Sequence, residues 1–258
     1  MEEIIPKFSV YLLIFVRLAS FFITMPIFSY RTIPAQHRIG ISALLAWIMY
    51  YTVSSPGFEI DGLYLLLVLK EALVGLMIGF FAYMLFSAVQ TAGGFIDFQM
   101  GFSMANVIDP QTGVQSPLMG QYLYTFALLF LLAIDGHHLL LDGIFYSYEF
   151  IPLSTDFLPF GNEHILTLMI HFFTQSFVIA FQMSIPIVGS LFLVDVALGI
   201  VARTVPQMNI FVIGFPIKII VSLILLVITM GTTLFLVKGI LNTTLEGMRS
   251  LMNLLGGS

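Results

Sequence analysis

Residues 92–120 read AGGFIDFQMGFSMANVIDPQTGVQSPLMG, and the reading of this stretch separates a simple bundle of membrane helices from something less regular. Gly93, Gly94, Gly101, Gly113, Gly120, Pro110 and Pro117 predict a break in any continuous helix. Yet Phe95, Ile96, Phe98, Met100, Phe102, Met104, Val107 and Ile108 make the stretch too apolar for a solvated loop. Irregular backbone with such side chains belongs where protein covers it or where it lines a cavity. The expectation is a plug-like or re-entrant segment, with an amphipathic loop at the lipid interface as the plainer alternative.

Outward from this stretch the chain is apolar on both sides. The apolar segments are 8–29, 39–55, 63–91, 121–146, 165–201 and 208–241. At about 1.5 Å per helical residue, roughly 20 residues cross a hydrocarbon core of about 30 Å, so most of these segments are long enough. The fifth is far longer than one crossing needs and contains Pro186 and Gly189, which predicts a kinked, tilted or folded-back helix. The sixth carries Pro216 near its start. Of the 258 residues, 59% are hydrophobic and 9% charged, with a mean hydropathy of +1.04. A water-soluble domain of this size cannot hide that much apolar surface, so lipid or a large apolar partner must cover it. The expected fold is an all-α membrane protein of about six long, partly broken hydrophobic helices. The first residues, with Glu2 and Glu3, lack the basic start of a secretory signal, so the first apolar stretch is expected to be retained.

Charge and cysteine content narrow the chemistry. The chain has no cysteine, which excludes disulfides, thiolate metal sites and cysteine nucleophiles. No basic residue lies between Lys70 and Arg203, so nucleic acid is not an expected partner. Arg31 and Arg38 favour the 30–38 loop on the cytoplasmic side, although Lys7, Lys238 and Arg249 weigh against a simple assignment.

Arg17, Lys70, Glu71, Asp135, Asp195 and Lys218 lie within or at the edges of apolar segments, where a charge at mid-bilayer costs at least about 2.5–3.5 kcal/mol. Such groups pair or face a wet cavity. Lys70 and Glu71 project about 100° apart on a helix, so each is expected to have a partner elsewhere rather than the other; snorkelling to headgroups is the alternative. His138 and Asp142 are four apart in AIDGHHLLLDG, a weak hint of a metal or acid–base pair. No third ligand at a familiar spacing, zinc-protease pattern or nucleophile turn accompanies them, and the default is a polar cluster satisfying backbone groups at a helix end. No catalytic, cofactor or metal site is expected. Gly75 and Gly79 form a GxxxG pair that lets another helix approach.

Several stretches together carry a resemblance: Arg17 followed by Pro26 and Phe28; GGFIDFQMGFSMANVIDP; DGHHLLLDG; and IPIVGSLFLVDVALGIVARTVPQMNIFVIGFPIK at 185–218, with its Arg203, Gln207 and Asn209. In that order they resemble the FliR family of flagellar type III export-gate subunits and its counterparts in virulence-type secretion systems. The resemblance implies one subunit assembled with several FliP-like and FliQ-like subunits into a closed helical channel for unfolded flagellar proteins, served by FlhB-like and FlhA-like proteins. It places the chain in the bacterial cytoplasmic membrane, at the flagellar basal body. It further implies a FliP-like part over about 1–184 with a plug at 103–119, a FliQ-like hairpin over about 185–241 and a tail at 242–258. On this reading Met104, Val107, Ile108, Asp109, Pro110 and Gly113 seal the pore. Arg17, Asp97, Gln99, Asp135, His137, Asp195, Arg203, Gln207, Asn209 and Lys218 make structural or assembly contacts. The competing readings are an ion-coupled transporter using Asp195, Arg203 and His171, and an intramembrane enzyme using His138 and Asp142.

Overall fold

The structure is a computed structural model that describes residues 4–29, 33–53, 57–102, 117–155, 163–207 and 209–256. Seven helices form its described part: α1 (Ile4–Thr24), α2 (Ala35–Tyr50), α3 (Gly62–Met100), α4 (Leu118–Ala133), α5 (Gly136–Phe150), α6 (Glu163–Thr204) and α7 (Ile210–Gly256). No strand occurs among the described residues, so the all-α expectation holds.

The count of about six segments is approximate. Three helices, α3, α6 and α7, are long and apolar enough to cross a membrane, or four if α4 and α5 count as one broken span. Hydropathy alone runs α4 and α5 together, because the break between them, at Asp135, sits inside one apolar run. The three long helices have 39, 42 and 47 residues, about 58, 63 and 70 Å at 1.5 Å per residue. Each is roughly twice a hydrocarbon core of about 30 Å. The 165–201 segment does not fold back: α6 runs as one helix through Pro186. α7 continues as one helix from Ile210 to Gly256.

Gly93 and Gly94 do not break α3, which continues to Met100. A helical glycine costs about 1 kcal/mol relative to alanine, but at Gly93 it serves a contact: a Cβ there would collide with the backbone of Gly120 at the start of α4. The helix stops at Gly101, whose φ of 89° suits a residue without a Cβ. The Gly101 amide donates to the Phe98 carbonyl at 3.2 Å and the Phe102 amide to the Asp97 carbonyl at 3.0 Å, the paired bonds of a Schellman ending.

The chain divides into two compact units, one comprising residues 1–85, 134–173 and 241–258 and the other 86–133 and 174–240. In the first, Leu13, Ile14, Leu18 and Phe21 of α1 are buried together with Ile78 and Phe81 of α3 and Leu140 and Ile144 of α5. In the second, Val89, Ile96, Leu131 and Leu191 are buried. The apolar window of α3 is 61% buried, but those of α6 and α7 only 11% and 17%. Among the described residues, little of the apolar surface of the last two helices is covered.

Candidate functional site

The polar residues that enter the apolar helices gather into two clusters, one in each unit. The first begins at the GxxxG pair. A Cβ at Gly75 would meet the Arg17 carbonyl oxygen and the Ser20 hydroxyl, and one at Gly79 the Thr24 hydroxyl; the helix admitted by the small residues is α1. That close approach sets Glu71, one turn before Gly75, against Arg17. The Arg17 Nε donates to Glu71 Oε2, Nη1 to Ser147 Oγ at 3.0 Å and Nη2 to the Ile151 carbonyl at 2.8 Å. The guanidinium carbon lies 4.2 Å from the centroid of the Tyr148 ring, a cation–π contact. The Tyr148 hydroxyl donates to the Ile14 carbonyl at 3.3 Å.

Lys70 Nζ lies 2.8 Å from Glu71 Oε1 and donates to the carbonyls of Pro152, Leu153 and Thr155 at 3.2, 3.1 and 3.0 Å. Arg17 and Glu71 are fully buried and Lys70 is 5% exposed. Two cations and one carboxylate leave an excess positive charge. The carbonyl oxygens of Ile151, Pro152, Leu153 and Thr155, just beyond the end of α5, offset it by accepting from the two cations. Burial overturns the snorkelling alternative for Lys70 and Glu71. Each does have a partner elsewhere, but the two also pair with each other, since the flexible lysine stem reaches back across the angle between them. Ser147, Tyr148 and the carbonyls of 151–155 were not anticipated; no sequence pattern marks a backbone carbonyl as an arginine partner.

The second cluster lies where α3 ends. Asp97 Oδ2 accepts from the amides of Met119 at 2.8 Å and Gly120 at 3.4 Å, so a residue of α3 caps the first turn of α4. Pro117 precedes α4, and its carbonyl accepts from the Gln121 amide at 2.8 Å. Here it starts a helix rather than preventing one, in keeping with the tolerance of proline at helix beginnings. Asp97 is 2% exposed, and its Oδ1 has no hydrogen-bond partner among the described residues. Two residues on, Gln99 Nε2 donates to Asp195 Oδ2 at 2.8 Å. Asp195 also pairs with Lys218 through Oδ1, and Lys218 Nζ donates to the Gln99 carbonyl at 3.4 Å. The side chains of Lys218 and Asp195 are 20% and 36% exposed. They open onto a cavity of about 270 Å³ that Met100, Gly101, Phe211 and Phe215 also line.

The other anticipated residues are more dispersed. Asp135 sits at a break with φ 56°, and the ligand atoms of Asp135, His137 and His138 lie within 4.8 Å of one another. Asp142, anticipated beside His138, is outside that group and exposed. Arg203 and Gln207 are exposed. Asn209 contributes its carbonyl, which accepts from the Val212 amide at 3.1 Å at the start of α7. The Asp195 carboxylate is engaged by Gln99 and Lys218. Met104, Val107, Ile108, Asp109, Pro110 and Gly113 lie outside the described residues.

Comparison with known proteins identifies the family. The family described as bacterial export proteins, family 1, matches residues 8–244. The chain is similar over its full length, at 54% identity and across all of the relative, to a flagellar biosynthetic protein FliR of Bacillus subtilis (strain 168). It is 32% identical to the Yop proteins translocation protein T of Yersinia pestis, over 84% of each chain. It is also 26% identical to the FliR of Escherichia coli (strain K12), over 87% of this chain and 85% of that one. A match running almost end to end fixes the assignment: the chain belongs to the family of bacterial export proteins, family 1.

Proposed function

We infer that the chain is a membrane-embedded structural subunit of a flagellar type III protein export apparatus. The observation that carries this reading is the full-length similarity to a flagellar biosynthetic protein FliR, joined to a family match from residue 8 to residue 244. The physical character of the helices supports it. Arg17, Lys70, Glu71, Asp97 and Asp195 are bound by neighbours within the chain, as structural polar groups in apolar surroundings must be. The largely uncovered apolar windows of α6 and α7 are suited to helices of other subunits and to lipid.

The finer reading is that this subunit helps to form and seal a pore for unfolded flagellar proteins in the bacterial cytoplasmic membrane. Its partners are FliP-like and FliQ-like gate subunits together with FlhB-like and FlhA-like proteins, and its role is structural rather than catalytic. A pore wide enough for an unfolded chain leaks ions unless a removable filler occupies it. The 103–119 stretch has the composition such a filler needs. Met104, Val107 and Ile108 supply deformable apolar bulk, while Asp109, Pro110 and Gly113 favour turns.

The test is to tag the chain in cells carrying the whole apparatus, purify it in mild detergent and identify its partners. In parallel, ion leakage is measured after deleting 107–113. The expected result is a large hetero-oligomer containing the FliP-like and FliQ-like subunits, and increased leakage at unchanged complex abundance. Recovery of a lone, monodisperse chain would sink the partner reading. Unchanged leakage from an intact complex would move the seal elsewhere.

A further inference from the structure

We propose that Asp135, His137 and His138 form a binding site for one divalent transition-metal ion of the zinc or nickel class. The site originates in the backbone. Asp135 has a φ of 56°, a left-handed conformation uncommon for any residue with a Cβ but tolerated by aspartate. This turn sets its carboxylate against the first turn of α5, where His137 and His138 follow. The three ligand atoms then lie within 4.8 Å of one another. Protein ligands bind zinc at about 2.0–2.2 Å, so small side-chain rotations bring all three onto one ion.

The ordinary explanation of such a cluster is that it satisfies backbone groups at a helix start. The structure does not support it here, because Asp135 makes no side-chain capping bond to α5. His137 Nδ1 is buried without a hydrogen-bond partner among the described residues, a condition that calls for an explanation in a folded protein. The adjacent His138 ring, its centroid 4.1 Å from that of His137, brings the second imidazole to the same place.

Two imidazoles and one carboxylate select borderline metals such as zinc and nickel over magnesium or calcium, which favour all-oxygen sites. Asp135 and His138 are exposed, so the ion has direct access. Three protein ligands leave a position for water. Occupancy ties the turn at 135 to the first turn of α5.

The test uses the full-length chain, purified in detergent without a polyhistidine tag, together with any subunits that accompany it, and stripped with chelator. Zinc, nickel and magnesium chlorides are titrated by calorimetry, and bound metal is counted by elemental analysis. The expected result is one zinc per chain beyond the level of a His137→Ala/His138→Ala variant, comparable binding of nickel and none of magnesium. Asp135→Asn retains a residue tolerant of the left-handed backbone, and His138→Gln changes an exposed side chain; each should weaken zinc binding by about tenfold or more at an unchanged elution volume. Asp142→Asn should leave it unchanged. Zinc binding that these two substitutions do not weaken, substoichiometric uptake, or magnesium binding as tightly as zinc would each overturn the site.

Discussion

The two polar clusters differ in how completely the chain closes them. Around Arg17, each charge is enclosed: Glu71 meets both cations, and the spare donors end on Ser147 or on carbonyls at 151–155. Around Asp195, the chain supplies one lysine and one glutamine, and the ion pair stays partly open. The difference separates two uses of charge in apolar surroundings. A fully enclosed network fixes the fold of one subunit, and breaking it strands a charge that no solvent can reach. A partly exposed pair contributes little to its own subunit and remains available to whatever covers that surface.

The largest effect is expected at Glu71. Glu71→Ala leaves Arg17 and Lys70 buried without their carboxylate, a type of loss that costs about 3–5 kcal/mol, comparable with much of the stability of an ordinary domain. The variant should fail to accumulate, as judged by immunoblotting of membranes, whereas Glu71→Asp, which keeps the charge on a shorter stem, should accumulate partially. Normal abundance of Glu71→Ala would show that the enclosed network is not what holds the first unit together.

A smaller effect is expected where the second unit does enclose a charge. Asp97 caps the amides of Met119 and Gly120 from another helix, and loss of a capping oxygen costs about 0.5–2 kcal/mol. Asp97→Ala should lower the thermal unfolding temperature of the detergent-solubilised protein. Asp97→Asn keeps an acceptor oxygen and should recover most of the loss. If Asn is as damaging as Ala, the carboxylate charge matters rather than the capping bond, and the likeness to the first cluster becomes closer.

These two sites also mark how far the sequence could be read. The apolar runs located the helices, and the cost of a buried charge announced that Arg17 and Glu71 need partners. Which partners they take depends on Gly75 bringing α1 against α3, and on carbonyls at 151–155 that belong to no residue-type pattern. Gly93 and Gly94 misled for a related reason. The residue that weakens a helix locally is also the one that lets another backbone come close, and the partner backbone, at Gly120, is 27 positions away. Pro186 and Pro117 misled because a proline's effect depends on its position: one is accommodated within a long helix and the other stands at a helix start. The turn at Asp135, invisible to hydropathy, split one apolar run into α4 and α5.

The smallest effect on the chain itself is expected at Asp195 and Lys218, and there the comparison between clusters is sharpest. The pair is 36% and 20% exposed and lines a cavity, and where water fills that cavity such a pair contributes about 0–1 kcal/mol. Lys218→Met and Asp195→Asn should therefore leave the subunit's membrane abundance near that of the parent. If a partner subunit completes this surface, the same substitutions should reduce the amount of high-molecular-weight complex on native gels, because the pair becomes buried when covered and an unpaired member is then costly. The exchanged variant, Asp195→Lys with Lys218→Asp, separates two origins of that loss. Recovery of assembly in the exchange means that the pair's mutual attraction is what assembly needs. No recovery means that each charge meets its own group on the neighbour, or that Gln99 must donate to a carboxylate at 195. Should all three variants lower subunit abundance as much as Glu71→Ala does, the half-open cluster is structural after all, and the distinction between the two regions fails.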